Sequence, residues 1–213
     1  SVKITDFRVG IQDLKAFFSE LKNTNITSLE LRKCFNSDNW IENLAINLKS
    51  TKLNFLNLSF NQIGDQGALI LAQHLRGTNI NSIDLSLNQI SSLAAFRLAE
   101  NLVGSELREI NLSDNQIDDE DLGSLGAKLK ETKVYSIDLS RNRIQTTGAL
   151  SFLKNHQGGN LTYLKFDENQ IEYNPSIILE LASIIPNSQL LKLSVMNQFP
   201  NRLPLNQNMI IPT

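Results

Sequence analysis

The sequence predicts an α/β solenoid. Short parallel strands would stand side by side in one sheet, with helices on its other side, built from about seven to eight copies of one strand-and-helix unit. Three observations carry this expectation. Residues 53–63, LNFLNLSFNQI, alternate apolar and polar as a half-buried strand does. Just beyond, Ala68, Leu71, Ala72 and Leu75 have the i, i+3, i+4, i+7 spacing of a helix buried on one side. The combined pattern returns with a 27-residue period, as from Leu53 to Ile80 to Leu107. Such self-similarity marks a stacked array whose units cannot bury their apolar faces alone.

Taken in order, the first motif position falls at Ile26, Leu53, Ile80, Leu107, Val134 and Leu161, without insertion. The fourth and sixth positions are Leu29/Leu31, Leu56/Leu58, Ile83/Leu85, Ile110/Leu112, Ile137/Leu139 and Leu164/Phe166, predicted to face the core. One period earlier, Val2-Lys3-Ile4 reads as another strand, followed by a helix with Leu14, Phe17, Phe18 and Leu21 on one face. Later helices present Ile41/Leu44/Ala45/Leu48, Ala68/Leu71/Ala72/Leu75, Ala95/Leu98/Ala99/Leu102, Leu122/Leu125/Gly126/Leu129 and Ala149/Phe152/Leu153, with His156 in the last place of the fifth set. Ser91-Ser92, Asp118-Asp119 and Thr146-Thr147 stand where N-caps are expected.

After Leu161 the phase slips. The next helical face reads as Ile178, Leu181, Ala182 and Ile185, with Pro175 near the helix start, where proline is tolerated. A matching delay gives Leu190-x-x-Leu193-x-Val195 and a 29-residue unit; strict register would instead bury Leu191 and Leu193. The division is therefore a solenoid over 1–197 and a tail over 198–213, whose apolar residues and prolines suit a cap over the open end of the last unit.

The motif LxxLxLxxNxI followed by a helix resembles the leucine-rich repeat. The 27-residue unit, with GAxxLAxxL in its helix, is similar to the ribonuclease-inhibitor-like class. The resemblance covers residues 1–197 and implies a curved horseshoe arc with the parallel sheet on the concave face and helices on the convex face. It also implies a structural ladder at the ninth position, occupied by Cys34, Asn61, Asn88, Asn115, Asn142 and Asn169.

Composition narrows the function classes. A net charge of −2 gives no reason to expect nucleic acid or an anionic membrane as partner, and no apolar run reaches the length of a membrane span. With Cys34 the single cysteine, no internal disulfide can form. The sequons Asn57-Leu-Ser59 and Asn111-Leu-Ser113 fall in predicted strands on the binding face, which favours an intracellular, cytoplasmic place of action. Catalytic chemistry has little to work with. His74 and His156 lie on helices away from Cys34 in motif register, no glycine-rich loop precedes Lys-Ser/Thr, and Asp84 and Asp138 stand two repeats apart. No catalytic residue, metal site or cofactor is predicted.

The solvent face of the strands is the informative surface. Its columns mix charges of both signs, so no basic stripe tracks a nucleic-acid backbone. Against that polar field stand Phe55 and Tyr163 at the third position and Phe60 and Leu87 at the eighth, the last two one repeat apart. Exposed aromatic and aliphatic side chains ringed by polar ones suit a protein-binding hot spot, with Asp138 and Arg141 as a polar anchor. Trp40, at a helix start, is read as packing. The expectation is a monomeric, non-enzymatic module that binds a protein partner on this face. The resemblance extends to Legionella-like leucine-rich-repeat effectors, which bacteria deliver into host cells. It extends also to Ran-type GTPase activators and to the sensing or scaffold segments of larger proteins.

Overall fold

Eight strands stand in chain order in one open parallel sheet: β1 (Val2–Thr5), β2 (Ser28–Arg32), β3 (Phe55–Asn57), β4 (Ser82–Asp84), β5 (Glu109–Asn111), β6 (Ser136–Asp138), β7 (Tyr163–Lys165) and β8 (Lys192–Ser194). Each crossover carries one helix: α1 (Ile11–Glu20), α2 (Ile41–Ala45), α3 (Asp65–Leu75), α4 (Ser92–Asn101), α5 (Leu122–Leu129), α6 (Thr146–His156) and α7 (Pro175–Ile184). The computed structural model describes residues 1–6, 11–35, 38–172 and 175–196, without the side chains of 11–14 and 178.

Strand register repeats the sequence period. Val2 pairs with Leu29, Leu56 with Ile83 and Ile137 with Leu164, so equivalent positions of successive units face one another across the sheet. Leu164 then pairs with Leu193, which makes the last described step the longer, 29-residue one. Leu193 is buried and Leu191 is 56% exposed, which excludes the strict register.

The core lies between sheet and helices as one continuous cluster. Its sheet side comes from the fourth and sixth positions, and Ile63, Ile90, Ile117, Ile144 and Ile171 fill it beneath the strand-to-helix turns. The helix faces of α2 to α6 are buried at the places that periodicity predicts, with Phe18 and Leu21 in the first unit. In α7 the face is rotated. Ile184 is buried, Leu181 and Ile185 are half-buried, and Ala182 is exposed, because i, i+3, i+4 spacing through Leu181 leaves Ala182 off the face. The expected contribution of Ile178 and the capping tail at 198–213 lie outside the described residues. Trp40 packs as expected, buried and stacked on Phe35 with ring centroids 3.8 Å apart.

A turn made inside the molecule must find partners for its backbone polar groups. One amide per unit does this. Asn88 donates from Nδ2 to the carbonyls of Leu58, Leu85 and Ser86, while its Oδ1 accepts from the N–H groups of Asn61 and Ile63. Asn61, Asn115, Asn142 and Asn169 donate in the same way, each to two carbonyls of its own unit and one of the preceding unit. In the first full unit, the thiol of buried Cys34 donates to the carbonyls of Ile4 and Arg32 at 3.4 and 3.3 Å.

Helix starts are also cross-linked between units, which corrects the local capping expectation. Ser91 does cap its own helix, accepting from Ala94 N–H. Asp119 does not: it accepts from the N–H groups of Gln145 and Gly148 and from the Thr147 hydroxyl, at the start of the next helix. Asp38 likewise accepts from Gly64 and Gly67 N–H at the start of α3. A Cβ at Gly67 or Gly148 would collide with the capping carboxylate, so a larger residue at either would displace the cap. Thr146 accepts from Glu172 N–H rather than capping α6. A carboxylate near a helix N-terminus is favourable wherever in the chain it originates.

Replacing Asn115 by Ala should lower the unfolding free energy by about 3 kcal/mol, since it orphans the Ile90 N–H and leaves carbonyls of two units without their donor. Urea denaturation measures this. A loss below about 1 kcal/mol would mean that the ladder is replaceable by water.

Candidate functional site

The site is set by where strand pairing runs out. In the central units only the third to fifth motif positions are strand, and the N–H of the seventh position turns back onto the side chain of the fifth. Ser59, Ser86, Ser113 and Ser140 N–H donate to Asn57, Asp84, Asn111 and Asp138 at 2.9 to 3.0 Å. Asn and Asp serve this turn equally, since both offer Oδ1.

The eighth position then enters the left-handed region in every unit where it is described. Asp6, Lys33, Phe60, Leu87, Asp114, Arg141 and Glu168 have φ between 54° and 63°. This conformation keeps each N–H pointed sideways. Phe60 donates to Ser86 carbonyl at 3.0 Å, Leu87 to Ser113 carbonyl at 3.0 Å and Asp114 to Ser140 carbonyl at 2.9 Å. The cost is roughly 1–2 kcal/mol for an ordinary L side chain, least for Asn and Asp.

Along this row the charged members pair with one another. Lys33 reaches Asp6 at 3.0 Å, and Arg141 holds Glu168 through two bonds of 2.9 and 3.1 Å while also reaching Asp114 at 3.5 Å. Bonding to Glu168 raises the Arg141 pKa further above its already high value. Between these paired ends lie Phe60 and Leu87. Phe60 is 43% exposed with the Lys33 ammonium 6.0 Å from its ring centroid, and Leu87 is half-buried.

The other predicted site residues spread over the same face. Phe55 is half-buried at the start of β3, opposite Ser82. Tyr163 is 43% exposed at the start of β7, between Ser136 and Lys192. Asp138 is bound to Lys165 at 3.0 Å and to Ser140 N–H. Within the chain Asp138 and Arg141 thus hold different partners, Lys165 for the one and Asp114 and Glu168 for the other.

Two carboxylates carry charge that sequence pattern did not single out as a site. Asp84 accepts from the Asn57 amide at 3.3 Å, and Glu109 accepts from the Tyr135 hydroxyl at 2.6 Å and from Ser82 at 3.2 Å. The bond to Glu109 raises the Tyr135 pKa above its ordinary value. Among the described residues no cation stands at ion-pair distance from either, which depends on which side chains meet.

Histidine and cysteine are engaged structurally. His156 is buried between α5 and α6; its Nδ1 lies 2.8 Å from the Gly126 carbonyl, and its Nε2 accepts from Leu161 N–H at 3.2 Å. This fixes the neutral tautomer with the proton on Nδ1. Burial pushes its pKa below 6.5 against the pull of the Gly126 bond, and nearby Lys130 adds to the lowering. His74 Nδ1 lies 2.8 Å from the Ile70 carbonyl within α3. No helix among the described residues is long and apolar enough to cross a membrane.

Comparison with known proteins agrees with this architecture. A family model described as Leucine Rich repeat matches residues 49–72, 106–126 and 132–153. No curated protein sequence matches the chain. Among solved structures, internalin C2 from Listeria monocytogenes str. 4b F2365 is 26% identical over 83% of this chain and 65% of its own, with a TM-score of 0.51. Leiomodin-1 actin-binding site 2 is 21% identical over 55% of this chain and 72% of its own, with a TM-score of 0.46. An internalin, inlF, from the same Listeria strain is 21% identical over 85% of this chain and 57% of its own, with a TM-score of 0.44. The chain thus spans less than two thirds of the length of either internalin structure.

Two outcomes follow from the backbone and the buried imidazole. Leu87→Asn should leave stability unchanged or raise it by up to about 1 kcal/mol, because Asn tolerates the left-handed conformation; a marked fall in urea midpoint would show that Leu87 is held for packing. The His156 site stabilises the fold above the unfolded-state pKa and loses that contribution as pH falls toward the lower folded-state value. Between about pH 7.5 and 5.5 the melting temperature should fall, and the fall should shrink in His156→Gln.

Proposed function

We propose that this leucine-rich-repeat solenoid is a binding module, not an enzyme, and that it takes a protein partner on the solvent face of its sheet around Phe55, Phe60 and Leu87. One observation carries the reading. In the left-handed row whose other members are charged and paired, Phe60 and Leu87 are apolar, and the Phe60 ring is 43% exposed. Such residues neither relieve backbone cost nor fill the core, and strained, exposed positions of this kind belong to functional surfaces. Buried ring hydrogen bonds at His156 and the ion pairs of Arg141 support a non-catalytic role, including against an arginine supplied to a GTPase.

The ribonuclease-inhibitor-like class is supported by the 27-residue register with a helix in each unit. A monomer in the cytoplasm, and delivery there as a bacterial effector, belong to the same proposal. Support comes from the likeness to a Listeria internalin structure and from Asn57 and Asn111, whose side chains are folded into strand-end turns on the binding face. Glycans on these sequons would cover that face.

Affinity capture from host-cell lysate tests the site. The intact chain should retain a protein that a Phe60→Ala/Leu87→Ala double variant, shown by circular dichroism to be folded, recovers about tenfold less well. Equal recovery by both chains would sink the assignment of the face.

A further inference from the structure

We propose that the partner reaches this face with a segment that sets a basic side chain beside an apolar one, the cation meeting Asp84 and Glu109 while the apolar group covers Phe60 and Leu87. The inference rests on the reading of the sheet face as the binding surface and adds the chemistry of what binds there.

Charge on the central face is unevenly answered. Over the third to eighth positions of the four central units, residues 55–60, 82–87, 109–114 and 136–141, the carboxylates are Asp84, Glu109, Asp114 and Asp138 against one guanidinium, Arg141. Asp114 has Arg141, and Asp138 has Lys165. Asp84 and Glu109 have hydrogen-bond donors, but among the described residues no cation stands within ion-pair distance of either. They occupy adjoining strands, since Asp84 pairs with Asn111 and Ser82 with Glu109. Strand spacing sets their Cα atoms about 8 Å apart on the diagonal.

The charge at Asp84 is not needed to form its turn. Its turn-forming bond to Ser86 N–H is made by amides at Asn57 and Asn111 in the units on either side, with the same geometry. A carboxylate where an amide suffices for the turn, three residues before Leu87 and opposite Asn57, which is three residues before Phe60, is complementary to a cation carried a few residues from an apolar group. Anionic partners, and a second copy presenting this same face, meet like charge instead.

Random dodecapeptides displayed on phage and panned against the intact chain identify the preferred segment. Enriched peptides should carry Lys or Arg within a few residues of an aromatic or aliphatic side chain. Synthesised, they should bind Asp84→Asn about tenfold more weakly, more weakly still when Glu109→Gln is added, and with an affinity that falls as salt rises. Asn57 and Asn111 show that the Asp84→Asn turn can form, and an unchanged melting temperature checks it. Enriched peptides that are neutral or acidic, or that bind Asp84→Asn undiminished while losing affinity for Phe60→Ala/Leu87→Ala, would overturn this inference and leave the binding face standing. Enrichment of nothing, or of peptides indifferent to both sets of variants, would overturn the inference together with the face.

Discussion

Between strand and helix the chain turns inside the solenoid, and in five successive units one buried asparagine, from Asn61 to Asn169, supplies the partners its N–H and C=O groups would otherwise lack. Because each of these amides donates to its own unit and to the one before, no unit completes its turn alone. Stacking is therefore enforced by polar satisfaction as well as by apolar burial. An unpartnered buried N–H costs about 1–3 kcal/mol. Cross-unit capping by Asp38 and Asp119 applies the same logic at the helix starts. The ladder, the caps and the core all repeat at the strand register, so the solenoid tolerates variation only where none of the three is engaged.

That restriction explains which surface is free to carry function. The fifth position faces solvent yet closes a turn through its Oδ1, so Asn or Asp there reports the fold first. The eighth position has no such side-chain duty. Its backbone is committed to a left-handed conformation and a lateral hydrogen bond, while its side chain is unconstrained by the core. Charged residues fill it at both ends and pair with one another. Two apolar residues hold the middle of the row, Phe60 exposed beneath the Lys33 ammonium and Leu87 half-buried.

Much of the architecture was legible from periodicity alone, because a core face must recur at the helical or strand period whatever else the chain does. Ile41, Leu71, Ala99 and Leu125 could be assigned as buried for that reason, and the 29-residue last unit followed from the delay of Leu193. The capping of Gly148 by Asp119 was not legible, since the two belong to successive units and local rules look only to the adjacent helix. Ala182 failed because one four-residue step fits two helical faces when aliphatics are crowded together. On the site, sequence picked out Phe60 and Leu87 as apolar departures but treated them as continuing strand alternation. It could not see that their backbone leaves the strand. Nor could it tell that Asp138 and Arg141 are separately paired, because ion pairing is a matter of side-chain reach across units.

The central face thus combines carboxylates that lack an ion-pair partner among the described residues with exposed apolar side chains. Other charges on the sheet side do find an opposite one unit away, as Lys3 finds Glu30 and Lys165 finds Asp138. Exposed pairs of this sort add little to stability, about 0–1 kcal/mol each, so they are not retained chiefly to hold the fold. Asp84 and Glu109 have no such pair among the described residues, and Asp84 stands three residues before Leu87 in its unit. A centre that is both charged and apolar favours a partner matched to both features over one matched to either alone. Specificity of this kind needs few residues, because the regular units exclude competing contacts on either side.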